Sequence, residues 1–149
     1  MDSIDFNLIK SLHKDARTSA KELAKDVFIS SPATSARLEK LKNDEVITGY
    51  HAHYNMEKLG FAITAYVLIS VNDDNEKYFE SFVMKNKNVL FCHSTTGEYT
   101  HIMLVSFKRS SDVKRFKHNI SEFGKAHLHI ITQENKSYSQ AQFTDLLFE

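Results

Sequence analysis

Apolar residues fall at helical spacing through the first third of the chain. Ile4, Leu8 and Leu12 recur every four positions with Ile9 widening the stripe, which predicts an amphipathic helix over Ser3 to Lys14, capped by Asp2 or Ser3. "DART", Asp15 to Thr18, reads as a turn. Ser19 then caps a short helix over Ala20 to Asp26, with Glu22 at capping-box spacing and Leu23, Ala24 and Val27 facing inward. A tight connection, "VFIS", leads into "ISSPATSARLEKLK", where Thr34, Leu38 and Leu41 stand at i, i+4 and i+7. Ser31 is placed to cap this third helix, and the one proline, Pro32, suits its first position, where a missing N–H costs nothing. Beyond it, "VITGYHAHYNM" alternates apolar and polar residues around a glycine and predicts a small hairpin or an extended linker strand.

The period then changes from helical to alternating. Phe61, Ile63, Ala65, Val67, Ile69 and Val71 would share one face of a strand. Phe79, Phe82 and Val83 share a helical face in "DDNEKYFESFVMKNK". Two strands follow, Val89 to Thr95 and His101 to Phe107, joined through "TGEY". Val113, Phe116, Ile120 and Phe123 then return to helical spacing, with Ser111 or Asp112 as the cap, and "AHLHIITQEN" ends the series as a strand. The order is strand, helix, strand, strand, helix, strand. That is the ferredoxin-like βαββαβ unit, a four-stranded sheet with both helices on one face, so the fold class expected is α+β.

Composition narrows the class. With 149 residues, 42% of them hydrophobic, the chain can bury a core of one ordinary domain or two small ones. Its longest apolar-looking run, Phe61 to Val71, is broken by Thr64, Tyr66 and Ser70 and falls short of the roughly 20 residues of a membrane span. The amino terminus lacks the basic start and apolar centre of a secretory signal, and the expected location is therefore the cytoplasm. The single cysteine, Cys92, reads as a half-buried strand residue.

Charge complicates any nucleic-acid reading. Nineteen basic and nineteen acidic residues cancel. Residues 1 to 48 balance separately: Lys10, Lys14, Arg17, Lys21, Lys25, Arg37, Lys40 and Lys42 face Asp2, Asp5, Asp15, Glu22, Asp26, Glu39, Asp44 and Glu45. Affinity for DNA must therefore come from local arrangement and from several weak sites acting together.

The third helix supplies that arrangement. At about 100° per residue, Thr34, Leu38 and Leu41 centre a buried face, while Pro32, Ser35, Ala36, Glu39 and Lys40 point away. Its outward residues in the first two turns are small or hydroxylated. A slim amino end rich in N–H groups can enter a groove about 12 Å wide and approach phosphates closely. This is how the second helix of a helix-turn-helix is built. A plain three-helix bundle is the alternative.

Taken in order, Asp2, Asp5, Ile9, Arg17, Ser19, Glu22, Leu23, Ala24, Ser30, Thr34, Arg37, Leu41, Ile47, Gly49 and Tyr50 resemble the opening pattern of the Lrp/AsnC family of transcription regulators. The stretch "STTGEYTHIML", Ser94 to Leu104, is similar to that family's loop between the second and third strands of its second domain. The resemblance implies a winged helix-turn-helix over 1–48, a linker strand over 49–60 and a ferredoxin-like (RAM-type) domain over 61–149 for effector binding and oligomerisation. It implies double-stranded DNA as partner, met by Ser19, Ser30 and Ser31 at phosphates, by Ser35, Ala36, Glu39 and Lys40 in the major groove, and by Arg37, split between structure and phosphate. It also implies a small-molecule effector such as an amino acid, bound through Gly97, Glu98, Tyr99, Thr100 and Thr132, and assembly into dimers and octamers. No cofactor is implied. Two positions depart from the pattern. Glu45 stands where a glycine usually ends the third helix, which predicts a differently closed turn, and Thr100 stands where an acidic residue usually holds the effector's ammonium group, leaving Glu98 to supply that charge.

Some features fit other chemistry. "HAH" (His51, His53) and "HLH" (His127, His129) would each put two imidazoles on one strand face, as a metal site or a pH-sensitive surface requires, although exposed strand histidines meet the pattern equally. Gly97 can serve simply as the positive-φ residue of a hairpin. Lys114, Arg115, Lys117 and His118 form the outward side of the last helix, a solvated face or a second DNA contact. Two alternative functions remain: a siroheme-decarboxylase-like enzyme, and a ligand-sensing or assembly module without DNA binding.

Overall fold

The computed structural model describes residues 1–135, which divide into two units, Met1–Ala52 and His53–Glu134. The expected second domain ran to Glu149, so its last fourteen residues lie outside the described ones.

The first unit holds three helices, α1 (Ser3–Lys14), α2 (Ala20–Asp26) and α3 (Ser31–Asn43). Leu8, Leu23 and Val27 form its core, with Ile4, Leu12, Ile29 and Leu38 packed against them. Both sequence-predicted capping residues of the first two helices are in place. Asp2 accepts hydrogen bonds from the Ile4 and Asp5 N–H groups while Asp5 accepts from the Asp2 N–H, and Ser19 and Glu22 make the same reciprocal pair. For α3 the cap is Ser30, whose hydroxyl accepts from the Ala33 N–H; Ser31 is the first helical residue and Pro32 the second, so the helix begins one residue earlier than the sequence predicts.

Helices α2 and α3 end in the same way. Past α2, Phe28 takes φ +57° and the Ile29 N–H reaches the Ala24 carbonyl. Past α3, Glu45 takes φ +56°, its N–H bonds to the Lys42 carbonyl, and the Val46 N–H bonds to the Leu41 carbonyl. These are the bonds of a Schellman ending, which usually places glycine at the left-handed position. The Glu45 turn therefore closes as a glycine turn would, contrary to the expectation from sequence, with a side chain carried in a conformation that favours glycine.

The segment from Val46 to Met56 forms neither the hairpin nor the linker strand expected from its alternation. It is bend and irregular chain, with His51 and His53 exposed, so this pair does not share a strand face. Alternation marks a strand only where a neighbouring strand takes up the backbone hydrogen bonds.

The second unit is the βαββαβ series: β1 (Ile63–Val71), a 3₁₀ turn (Asp73–Asn75), α4 (Glu76–Lys85), β2 (Val89–Ser94), β3 (His101–Phe107), α5 (Ser110–Ile120) and β4 (Gly124–Ile130). The sheet order is β2-β3-β1-β4, all antiparallel, the ferredoxin-like arrangement. Ala65, Val67, Ile69 and Val71 of β1 join Met103, Val105 and Phe107 of β3 beneath Phe79 of α4 and Phe116 and Ile120 of α5. Phe61, expected on the same face, precedes the strand and lies under the Lys108 ammonium at 5.1 Å. No side chain caps α5; Arg109 occupies the cap position, and Ser111 and Asp112 lie within its first turn rather than before it. Gly124 begins β4 opposite Val71. A Cβ there would run into the Ser70 carbonyl oxygen, so only glycine allows the strands to close at this point.

Candidate nucleic-acid and effector interfaces

In the head, Thr34 and Leu41 are buried and Leu38 is half-buried, which turns Ser35, Ala36, Glu39 and Lys40 together to the outside of α3. The Thr34 hydroxyl donates to the Ser30 carbonyl, so the one polar residue on the inward face is satisfied by its own helix. Ser30 accepts at its oxygen from Ala33, which leaves its hydroxyl proton available to an outside acceptor. Ser19 differs. Its hydroxyl donates to Glu22 Oε2 at 2.7 Å, and this bond holds the Glu22 carboxyl below its usual range.

Arg37 is engaged from within the head. Its Nη1 lies 2.8 Å from both Asp2 Oδ2 and Asp5 Oδ1. The two carboxylates cap α1, so one guanidinium ties the start of α1 to the middle of α3 and fixes how α3 is presented. The Asp5 N–H and then Arg37 hold the Asp2 carboxyl below its usual range, and the two aspartates raise the Arg37 guanidinium.

In the second unit, the loop between β2 and β3 is pinned by its own polar groups. The Thr95 N–H bonds to the Thr100 carbonyl, the Thr95 hydroxyl to the Tyr99 carbonyl, and the Ser70 hydroxyl of β1 to the Glu98 carbonyl at 2.6 Å. Gly97 has φ +114°, the conformation its hairpin role predicts. Thr100 is itself exposed, but its hydroxyl is turned back onto β1. Its hydroxyl oxygen accepts from the Val71 N–H at 2.9 Å and lies 3.2 Å from the Ile69 carbonyl and 2.9 Å from Nδ1 of the buried His101, whose Nε2 meets Glu76 Oε1 at 3.3 Å. The residue that replaces an acid is thus a staple between strands, while the Glu98 side chain is exposed beside it. Tyr99 stands edge-on to His127 of β4, with ring centroids 5.7 Å apart. Burial and then the Glu98 charge push its hydroxyl pKa up.

Thr132 does not join this group within one chain. The loop sits beside Ser70, which pairs with Lys125, whereas the Ile131 N–H bonds to the Thr64 carbonyl at the other end of β1. Seven residues of extended chain separate Lys125 from Thr132, roughly 20 Å. Sequence reasoning missed Ser70 and His127 as the loop's supports. Their signal was the outward parity of Ser70 on β1 and of "HLH" on β4, which places both on the sheet face away from the helices. His127 and His129 lie on that outer face, opposite Leu68 and Tyr66 of β1, and among the described residues no group of three His, Cys, Asp or Glu side chains is placed to hold a metal ion.

A helix-turn-helix with an exposed small-residue face on its second helix, followed by a ferredoxin-like unit with a polar, pinned hairpin, defines a DNA-binding regulator that carries a ligand-binding domain. The sequence model of winged helix-turn-helix DNA-binding domains matches residues 1–48 and that of the Lrp/AsnC ligand binding domain matches residues 64–141. The chain belongs to the Lrp/AsnC family of transcription regulators. An uncharacterized HTH-type transcriptional regulator of Pyrococcus horikoshii is 31% identical over 116 residues, 78% of each chain. The solved structure of LrpC from Bacillus subtilis superposes with a TM-score of 0.86 at 26% identity, covering 92% of this chain and 98% of that one. A Neisseria meningitidis transcriptional regulator, solved as an L-Met complex, shares the fold with a TM-score of 0.87 at 22% identity over 98% of this chain and 99% of its own. Among the described residues no helix is long and apolar enough to cross a membrane.

Proposed function

We propose that residues 1–48 read a specific DNA sequence, that 49–60 link, and that the unit from 61 onward binds an amino-acid effector and assembles the protein into dimers and octamers in the cytoplasm. The observation that carries this reading is the outward face of α3, where Ser35, Ala36, Glu39 and Lys40 stand free of the head's core on a helix anchored by Thr34 and Leu41. Those four side chains meet base edges in the major groove, and Ser30 and Ser31 meet phosphates at the helix's amino end. Ser19 serves its cap first, because its hydroxyl proton is already given to Glu22. Arg37 acts by positioning α3, being held by Asp2 and Asp5.

The effector's place in this reading is the loop Gly97–Thr100, and its being an amino acid is supported by a regulator of this fold that was solved as an L-Met complex. Glu98 supplies the charge for an ammonium group and the loop's backbone N–H groups face the carboxylate. The protein acts as a regulator rather than a catalyst. Its one thiol, Cys92, is raised by burial and by the Glu76 charge, away from the reactive thiolate form.

Gel shifts with the promoter region of the protein's own gene, with and without a panel of amino acids, test the reading. A shifted band whose midpoint moves with one amino acid is expected. Lys40→Ala should weaken specific binding while leaving the oligomer intact; an unchanged affinity and salt slope would remove Lys40 from the groove.

A further inference from the structure

At the end of the sheet where β1 begins and β3 finishes, a cleft of about 650 Å³ is lined by Phe61, Lys87, Lys108, Arg109, Asp112 and Arg115. Four cations there face one carboxylate. The chain as a whole is neutral, so a surplus of three positive charges in one concavity is a local arrangement rather than a sample of the surface.

The acid in the cleft orients the bases. The Asp112 side chain is 14% exposed, Arg109 Nε lies 3.4 Å from its Oδ2 and Arg115 Nη2 lies 3.0 Å from its Oδ1, while the two arginine side chains are 74% and 70% exposed. One inward-turned carboxylate therefore holds two guanidinium groups with most of their donors still facing outward. Lys108 is steadied over the Phe61 ring. Helix α5 starts at the same wall with no side-chain cap, so its first N–H groups add positive potential.

We propose that this cleft binds a small anion carrying several phosphate groups, of the inorganic polyphosphate or nucleoside triphosphate class. A ligand with three or four negative charges matches the surplus, and the cleft falls within the roughly 300 to 1,000 Å³ of small-molecule sites. A duplex backbone is convex and is met by side chains that project, which makes a concavity around an inward-turned acid better suited to a compact ligand. The site is separate from the hairpin loop, which lies at the other end of β3.

Calorimetric titration of the full chain with inorganic triphosphate and with ATP, at about 150 mM salt to screen non-specific attraction, tests the proposal. One saturable site per chain is expected for both ligands. The Lys108→Gln/Arg109→Gln double variant should weaken it about tenfold or more, the scale of lost charge-assisted hydrogen bonds. Lys87→Gln, at an exposed position between α4 and β2, should weaken it several-fold and keeps the test valid if the double variant fails to fold by circular dichroism. Absence of saturable binding would overturn the proposal, as would binding that folded variants retain in full. So would loss of DNA affinity and salt slope in the variants without any triphosphate binding, since that result would make the cleft a duplex contact.

Discussion

Phe28 and Glu45 show how much strain single residues carry in the head. Both hold positive φ at the ends of helices, where a Cβ crowds the backbone by roughly 1–2 kcal/mol, and Phe28 is also 93% exposed. Glycine at either place removes the crowding but frees the unfolded chain, which offsets part of the gain. Glu45→Gly should stabilise the head by about 0.5–1 kcal/mol in urea denaturation; a loss of stability would mean that the Glu45 side chain contributes more than its backbone costs. At Asp2 the chemistry is acid–base. Its carboxyl is depressed in the folded protein by the Asp5 N–H and by Arg37, so its contribution is present above the ordinary carboxylate range, near pH 4, and is lost as pH falls through the lowered value. Asp2→Asn should flatten the acid limb of the stability curve; a limb equally steep in the variant would show that other carboxylates set it.

Among the elements, α3 and the segment after it show where the chain's pattern was legible and where it was not. "ISSPA" offers two serines able to cap and a proline that fits either of the first two helical positions. What selects Ser30 is the left-handed turn at Phe28 just before it, a backbone feature that no residue type in "VFIS" announces. The Ser30→Ala variant should therefore lose about 1 kcal/mol, and Ser31→Ala much less, when their urea midpoints are compared. The four strands were legible because period two coincides with a core: Ala65, Val67, Ile69 and Val71 must all face the helices. Val46–Met56 has a similar period without a partner strand, so nothing there converts alternation into a strand. The hairpin loop was legible as a loop, but the turn of the Thr100 hydroxyl onto β1 and the distance to Thr132 depend on sheet register, which single-chain spacing does not carry.

For the whole molecule, the outer face of the sheet is where the proposed assembly is most directly tested. Tyr66, Leu68, Phe91, Ile102 and Leu104 share it, with Tyr66 paired to Leu104 and Leu68 to Ile102. Tyr66 is 41% exposed, and the patch lies opposite the face the helices cover. If the proposed dimers form by pairing this sheet face with the same face of a second copy, Leu104→Asp should shift the protein toward monomer in sedimentation velocity and weaken DNA binding by roughly 10²–10⁴, the avidity that linked heads supply. A dimer that persists would place the pairing elsewhere. Gly124 sets a different kind of limit. Since any side chain there collides with backbone rather than with a neighbour that could itself change, no second substitution can rescue the first. A library in which every codon is randomised and folded survivors are sequenced should return one amino acid at position 124, whatever else in the chain is allowed to drift.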